Sequence, residues 1–145
     1  MNKIVKSRII HKSAQHLYEM WTTKQGLNTF FSIDNDIEIK LNGKYEIYFS
    51  QDETMNQRGS EGCKVIDYAP NKMLSFTWNV PPTLISLRQS NAQTMVVITF
   101  ESNGGQTLIN LTNSGYLDST EWHEALQYFD KAWDYVLDNL VRVCL

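Results

Sequence analysis

Cysteine occurs only twice in this chain, at Cys63 and Cys144, far apart and without metal-like spacing, which argues against a disulfide framework and a zinc site. Positive charge is also short: 13 Lys and Arg stand against 16 Asp and Glu, a formal net charge of -3. That balance offers no basic surface to hold a phosphate backbone, so nucleic acid is not expected as a partner. Long apolar runs are missing. Stretches such as Met95–Ile98 are far too short to cross a bilayer, and no membrane span is expected. The basic residues of the first ten positions are interleaved with Ile4, Val5, Ile9 and Ile10, so no signal-peptide core follows them. A cytoplasmic location with reduced thiols is the expectation. Catalytic signatures are missing too: there is no His-Glu-x-x-His, no Gly-x-Ser-x-Gly and no phosphate-cradling glycine loop. His11, His16 and His123 sit in no diagnostic motif. No metal and no cofactor are expected, and no catalytic residue is assigned.

What is present is the pattern of one globular domain spanning residues 1–145. Hydrophobic residues make up 42% of the chain and charged residues 20%, enough to bury a core without covalent staples. Residues 3 to 11 are rich in β-branched types and predict a strand, after which Ser13 is a good helix cap. Ala14, Leu17, Tyr18 and Trp21 fall at helical spacing, and a second short helix is expected to run to Phe31. Asp34 to Asp36 reads as a turn, Ile37 to Leu41 as a short strand, and Asn42-Gly43 as a hairpin signal. Further strands are expected with Tyr45, Ile47 and Phe49 on one face, from Cys63 to Tyr68, and with Leu74, Phe76 and Trp78 sharing a face. Polar, glycine-bearing residues 51 to 62 read as a mobile connection, and 79 to 92 as a long rim loop. Asn103-Gly-Gly105 predicts a tight hairpin between the last two strands, the second of which ends near Tyr116. The terminal helix carries Trp122, Leu126, Phe129, Trp133 and Val136 on one side. This order of strand, two helices, six strands and one long helix predicts an α+β domain with its helix packed on an antiparallel sheet.

Several of these segments resemble the activator-of-heat-shock-90-ATPase homologue family, within the START-like, birch-pollen-allergen-like superfamily. Leu17-Tyr-Glu-Met-Trp-Thr22 followed by Leu27-Asn-Thr-Phe-Phe31 is similar to the family's opening pair of helices. Gly43-Lys-Tyr-Glu-Ile47, Pro70-Asn-Lys-Met-Leu-Ser-Phe-Thr-Trp78 and Thr107-Leu-Ile-Asn-Leu-Thr-Asn-Ser-Gly-Tyr116 are similar to three of its strands. The chain departs from the pattern at Asn113, where histidine is frequent, and at Ala132, where glycine is usual. The resemblance implies a helix-grip fold: a curved antiparallel sheet wrapped around a long C-terminal helix, with two short helices after the first strand. It also implies an apolar cavity between sheet and helix. Relatives with this fold include chaperone regulators, lipid carriers and cyclase-like enzymes, so the fold does not choose among these activities.

Strand parity places Phe49, Phe76, Trp78, Ile109 and Leu111 on one curved inner surface, with Asn113 as its polar group and Trp122 at the mouth. These seven are the expected ligand-binding residues. Asn113 either orients a polar ligand group or bonds neighbouring backbone and water, as buried amides do. Arg58 and Glu61 would flank the entrance, or simply be solvated. The leading expectation is a protein that binds a small hydrophobic or amphipathic ligand. A chaperone-regulating interaction module and a cyclase- or hydrolase-like enzyme are the alternatives.

Overall fold

Ser13 stops the first strand and starts the first helix: its Oγ accepts from His16 N over 3.0 Å, capping an orphan amide. The structure, a computed structural model, describes residues 2–50 and 58–145. Its elements run β1 (Lys3–Ile10), α1 (Ala14–Thr22), α2 (Lys24–Phe30), β2 (Asp34–Ile37), β3 (Tyr45–Tyr48), β4 (Val65–Ala69) and β5 (Met73–Asn79). After these come α3 (Ile85–Gln89), β6 (Gln93–Asn103), β7 (Gln106–Ser114) and α4 (Thr120–Val143). Part of the expected mobile connection, 51–57, lies outside the described residues.

The sheet is antiparallel throughout, in the order β1-β7-β6-β5-β4, with β2 and β3 as a separate pair. That pair continues the sheet past β4. Tyr45 N donates to Cys63 O and Ser60 N to Ile47 O, each over 2.9 Å, while Phe49 N donates to Arg58 O over 2.7 Å. Gly104 and Gly105, at φ of 57° and 86°, make the two-residue turn between β6 and β7 with the positive φ that tight hairpins require.

Period-two burial builds the inner face from Tyr45 and Ile47, from Leu74, Phe76 and Trp78, from Val96, Ile98 and Phe100, and from Ile109, Leu111 and Asn113. Helix α4 lies across that face. Ser119 caps it, its Oγ accepting from Trp122 N over 3.2 Å, and Trp122, Phe129, Trp133, Val136 and Leu140 are buried along one side. Leu126, expected on the same stripe, is only partly buried. Lys6 and Arg8 share the inner parity of Ile4 and Ile10 at the β1 edge, where an apolar stripe would be expected. They meet α4 as ions: Lys6 Nζ lies 3.0 Å from Asp130 and 2.9 Å from Asp134, and Arg8 Nη2 lies 3.0 Å from both Asp134 and Asp138.

Three expectations about local structure are corrected. Asp34–Asp36 is strand, not turn, because tertiary pairing with β3 and a buried Asn35, whose Nδ2 donates to Asn28 Oδ1 over 2.9 Å, override turn propensity. Strand β4 starts at Val65 and carries a bulge between Val65 and Asp67, which exposes Ile66 and breaks the alternation. The rim segment contains α3, pinned down by Arg88 and by Ser86 Oγ donating to Glu121 Oε2 over 2.6 Å.

Candidate functional site

Trp78, the last inner-face aromatic of β5, is the hub of the site. Its ring centroid lies 5.1 Å from Trp133, 5.8 Å from Phe31, 6.0 Å from Phe129 and 6.4 Å from Phe49. Two cavities open on this cluster and share Phe49, Trp78, Tyr128 and Phe129 in their walls. One, of about 270 Å³, runs along α4 over Phe30, Phe31, Trp133 and Val136 and is nearly all apolar. The other, of about 170 Å³, turns toward Arg58, Gly59, Ser60, Asn79 and Arg88 and is polar at that end. An apolar trough leading to a few fixed polar groups suits small-molecule recognition.

The polar end is tightly built. The Arg88 side chain is only 9% exposed. Its Nη1 donates to Val80 O over 2.7 Å and its Nη2 to Gly59 O over 2.6 Å, with Glu61 Oε1 at 3.3 Å. Burial pulls the Arg88 guanidinium below its ordinary value, with Glu61 opposing; at neutral pH it stays a cation. Glu61 is itself occupied: Oε1 accepts from Gly59 N over 2.8 Å and Oε2 from Arg58 N over 3.0 Å. Arg58 donates through Nε to Ser50 O over 3.1 Å and stacks its guanidinium 4.2 Å above the Tyr48 ring. Asn79 donates to Gly59 O and Glu61 O, and accepts from Gln93. Gly59 is required by close approach, since a Cβ there would lie 2.0 Å from Ile47 O.

Of the seven residues expected to bind ligand, Phe49 and Trp78 stand on the walls of these cavities. Phe49 lies just past β3 and is 47% exposed, so it forms a rim rather than a floor. Phe76, Ile109 and Leu111 are sealed in the core beneath, and Trp122 packs edge-on against Tyr116 with ring centroids 6.0 Å apart. None of these four lines either cavity. Asn113 is saturated within the protein. Its Nδ2 donates to Thr94 Oγ1 (2.9 Å) and Met95 O (3.1 Å), while its Oδ1 accepts from Tyr116 OH (2.6 Å) and Trp133 Nε1 (3.0 Å). Both donors and both acceptors of the amide are used, leaving none for a ligand.

Sequence reasoning passed over Arg88, Tyr128 and Phe30. Tyr128 and Tyr135 sit one heptad apart on the outer side of α4, 54% and 69% exposed, and two surface aromatics at that spacing were the available signal for a groove lip. Arg88 gave none, because nothing local distinguishes a docked arginine from a solvated one. His11, His16 and His123 are all exposed. Among the described residues, no group of three His, Cys, Asp or Glu side chains is placed to hold a metal, and no helix is long and apolar enough to cross a membrane.

Residues 11–144 match the family model described as Activator of Hsp90 ATPase homolog 1-like protein. The chain belongs to this family. No curated protein sequence matches it. Solved structures of similar fold include protein MLL2253 from Mesorhizobium loti, 21% identical with a TM-score of 0.77, covering 97% of this chain and 94% of that one. The Aha1 dimer from Colwellia psychrerythraea is 22% identical with a TM-score of 0.72, over 99% of this chain and 96% of that one. An HSP90 activator from Plasmodium falciparum is 14% identical with a TM-score of 0.73, again over 99% and 96%. At such identities the likeness carries the fold of the Activator of Hsp90 ATPase homolog 1-like family and leaves the ligand to be argued from this chain's own residues.

Proposed function

We propose that this chain is a single cytoplasmic domain that binds a small hydrophobic or amphipathic ligand in the trough between Trp78 and α4. The observation that carries the reading is the pair of adjoining cavities sharing Phe49, Trp78, Tyr128 and Phe129, apolar along α4 and polar at Arg58 and Arg88. A cavity near 150 Å³ accommodates one benzene ring, so the two together suit a ligand of one or two rings or a short alkyl chain. The test uses a neutral probe, N-phenyl-1-naphthylamine, with tryptophan fluorescence and native mass spectrometry as readouts. One-to-one saturable quenching, lost when Phe129→Ala and Tyr128→Ala remove the shared wall, is the expected result. A flat titration of folded wild-type protein would overturn it.

The family description and the Plasmodium falciparum relative favour a second reading, a module that modulates a chaperone ATPase. Exposed Tyr128 and Tyr135 on α4 are the surface it would use. Stimulation of purified Hsp90 ATPase by wild type, and its loss in a Tyr128→Ala, Tyr135→Ala double variant, would support that reading. Absence of stimulation would remove it.

A further inference from the structure

Three side chains of α4 stand between the apolar trough and a shallow groove on the helix's outer side: Tyr128, Ala132 and Tyr135 line both. The two tyrosines are about 10 Å apart along the axis at 1.5 Å per residue, and Ala132 lies between them, four residues after the first and three before the second. The Tyr128 ring is held edge-on against Phe129, with centroids 5.0 Å apart. Every other wall residue of the trough is aromatic or, in Val136, branched, so the methyl of half-buried Ala132 is the low point of the divide. Among the described residues, no charged side chain lines the trough. Its two indole N–H groups are out of a ligand's reach: Trp133 donates to Asn113 Oδ1, and the Nε1 of Trp78 is sealed away from any accessible surface. In the adjoining polar cavity, Ser60, Asn79 and Arg88 already bond protein groups, Arg88 as an ion pair with Glu61. A polar ligand group held among the rings would go unpaired, which burial penalises.

We infer that the ligand is an aromatic amphiphile whose rings lie in the trough and whose uncharged polar arm leaves it over Ala132, between Tyr128 and Tyr135, which makes Ala132 the specificity-determining residue of the site. The two phenol hydroxyls at the gap both donate and accept hydrogen bonds, as an alcohol does. Beyond them, among the described residues, the outer groove carries one acid and one base, Glu124 and Lys131, so it offers no net charge to draw an ionised head. A hydroxyl is therefore the matching head group. A side chain larger than alanine's would put atoms where the arm must pass.

This assignment rests on the ligand-binding reading above, and two probes separate the failures. The rings of naphthalene suit a trough of about 270 Å³ and need no exit, whereas 2-(2-naphthyloxy)ethanol adds a hydroxyethyl arm to the same rings. Calorimetry gives both affinities for wild-type protein and for Ala132→Leu, a change that keeps high helix propensity. The affinity of the armed probe relative to naphthalene should fall at least about tenfold in the variant, because the arm is then shut in with its hydroxyl unpaired. A second measurement places a thiol at the gap with Ala132→Cys, in a protein whose own Cys63 and Cys144 are buried, and it stands by itself if the leucine variant does not fold. A maleimide should react with the introduced thiol; saturating armed probe should slow that reaction at least about tenfold, while naphthalene leaves it within about twofold. An unchanged affinity ratio, or equal protection by the two probes, overturns the exit at Ala132 and leaves ligand binding intact. Binding of neither probe to folded wild-type protein overturns both.

Discussion

The indole of Trp133 donates its Nε1 proton to Asn113 Oδ1 across 3.0 Å, joining the middle of α4 to the centre of the sheet by a polar bond inside the apolar core. Tyr116 uses the other lone pair of that oxygen, and Thr94 and Met95 take the amide protons. One side chain therefore ties β6, β7 and the turn after β7 to the helix.

Asn113→Leu should behave as a stability mutation and not as a binding one. It keeps the branched, four-heavy-atom outline in a bulkier side chain but strands the Trp133 and Tyr116 donors, at roughly 1–3 kcal/mol for each unpaired group. Urea denaturation is expected to show a loss of about 2–6 kcal/mol, with probe affinity unchanged in the folded fraction. Trp133→Ala removes the same bond together with a buried indole and should cost about 3–5 kcal/mol. Trp133→Phe should fall between that variant and wild type.

Gly59→Ala should be damaging although the residue lies at the protein surface. The new Cβ would meet Ile47 O at 2.0 Å, where backbone has no room to yield, so the pairing of β3 with residues 58–60 must open. A lowered melting temperature and weaker neutral-probe binding are expected together. A variant with wild-type melting would contradict the close approach.

The ionic seam between β1 and α4 predicts a response to acid. Hydrogen bonds from Lys6 and then Arg8 hold the Asp134 carboxyl below its ordinary value of 3.8. Its contribution is complete above that value and disappears as pH falls through the lower, folded one. Asp134 is 44% exposed, so each pair is worth no more than about 1 kcal/mol after screening. Asp134→Asn should lower stability modestly at pH 7 and leave it nearly unchanged at a pH well below the lowered, folded value. An equal loss at both pH values would refute the seam.

Cys63 should be inert in the folded protein. Burial pushes its thiol up to about 12, far from the range where a reactive thiolate forms. Cys144 is also buried and unpaired. Both are expected to react with a thiol reagent after denaturation at rates at least a hundred times, on the order of the thiolate and access effects, above those of native protein.

The fold was legible because its long elements obey simple periods. Residues 106–114 alternate strictly, α4 repeats at three and four, and Asn103-Gly-Gly105 marks its own hairpin. The site was legible only in part. Parity correctly put Ile109, Leu111 and Asn113 on the inner face, yet an inner face can be lined with cavity or packed solid, and α4 packs solid over these three. Space opens instead where β3 ends and α3 is pinned by Arg88, a consequence of chain ends and tertiary docking that no periodicity encodes. Asp34–Ile37 shows the same limit: its polar residues are strand because β3 and Asn28 supply partners from elsewhere in the chain.

Lys6 and Arg8 have a consequence for how copies of this protein meet each other. Among the described residues, strand β1 ends the main sheet and pairs only with β7, so its other side is an edge beside which a further strand could add. Such an edge is a template for unwanted sheet growth, and inward-pointing charge is one of the ways proteins spoil it. A strand docking beside β1 would bring its own inner side chains against a lysine, an arginine and three aspartates, where an apolar residue strips water from ions and gains nothing. The residues that fasten the terminal helix thus also discourage fibrous self-association, and solubility at high concentration becomes a property of the same five side chains.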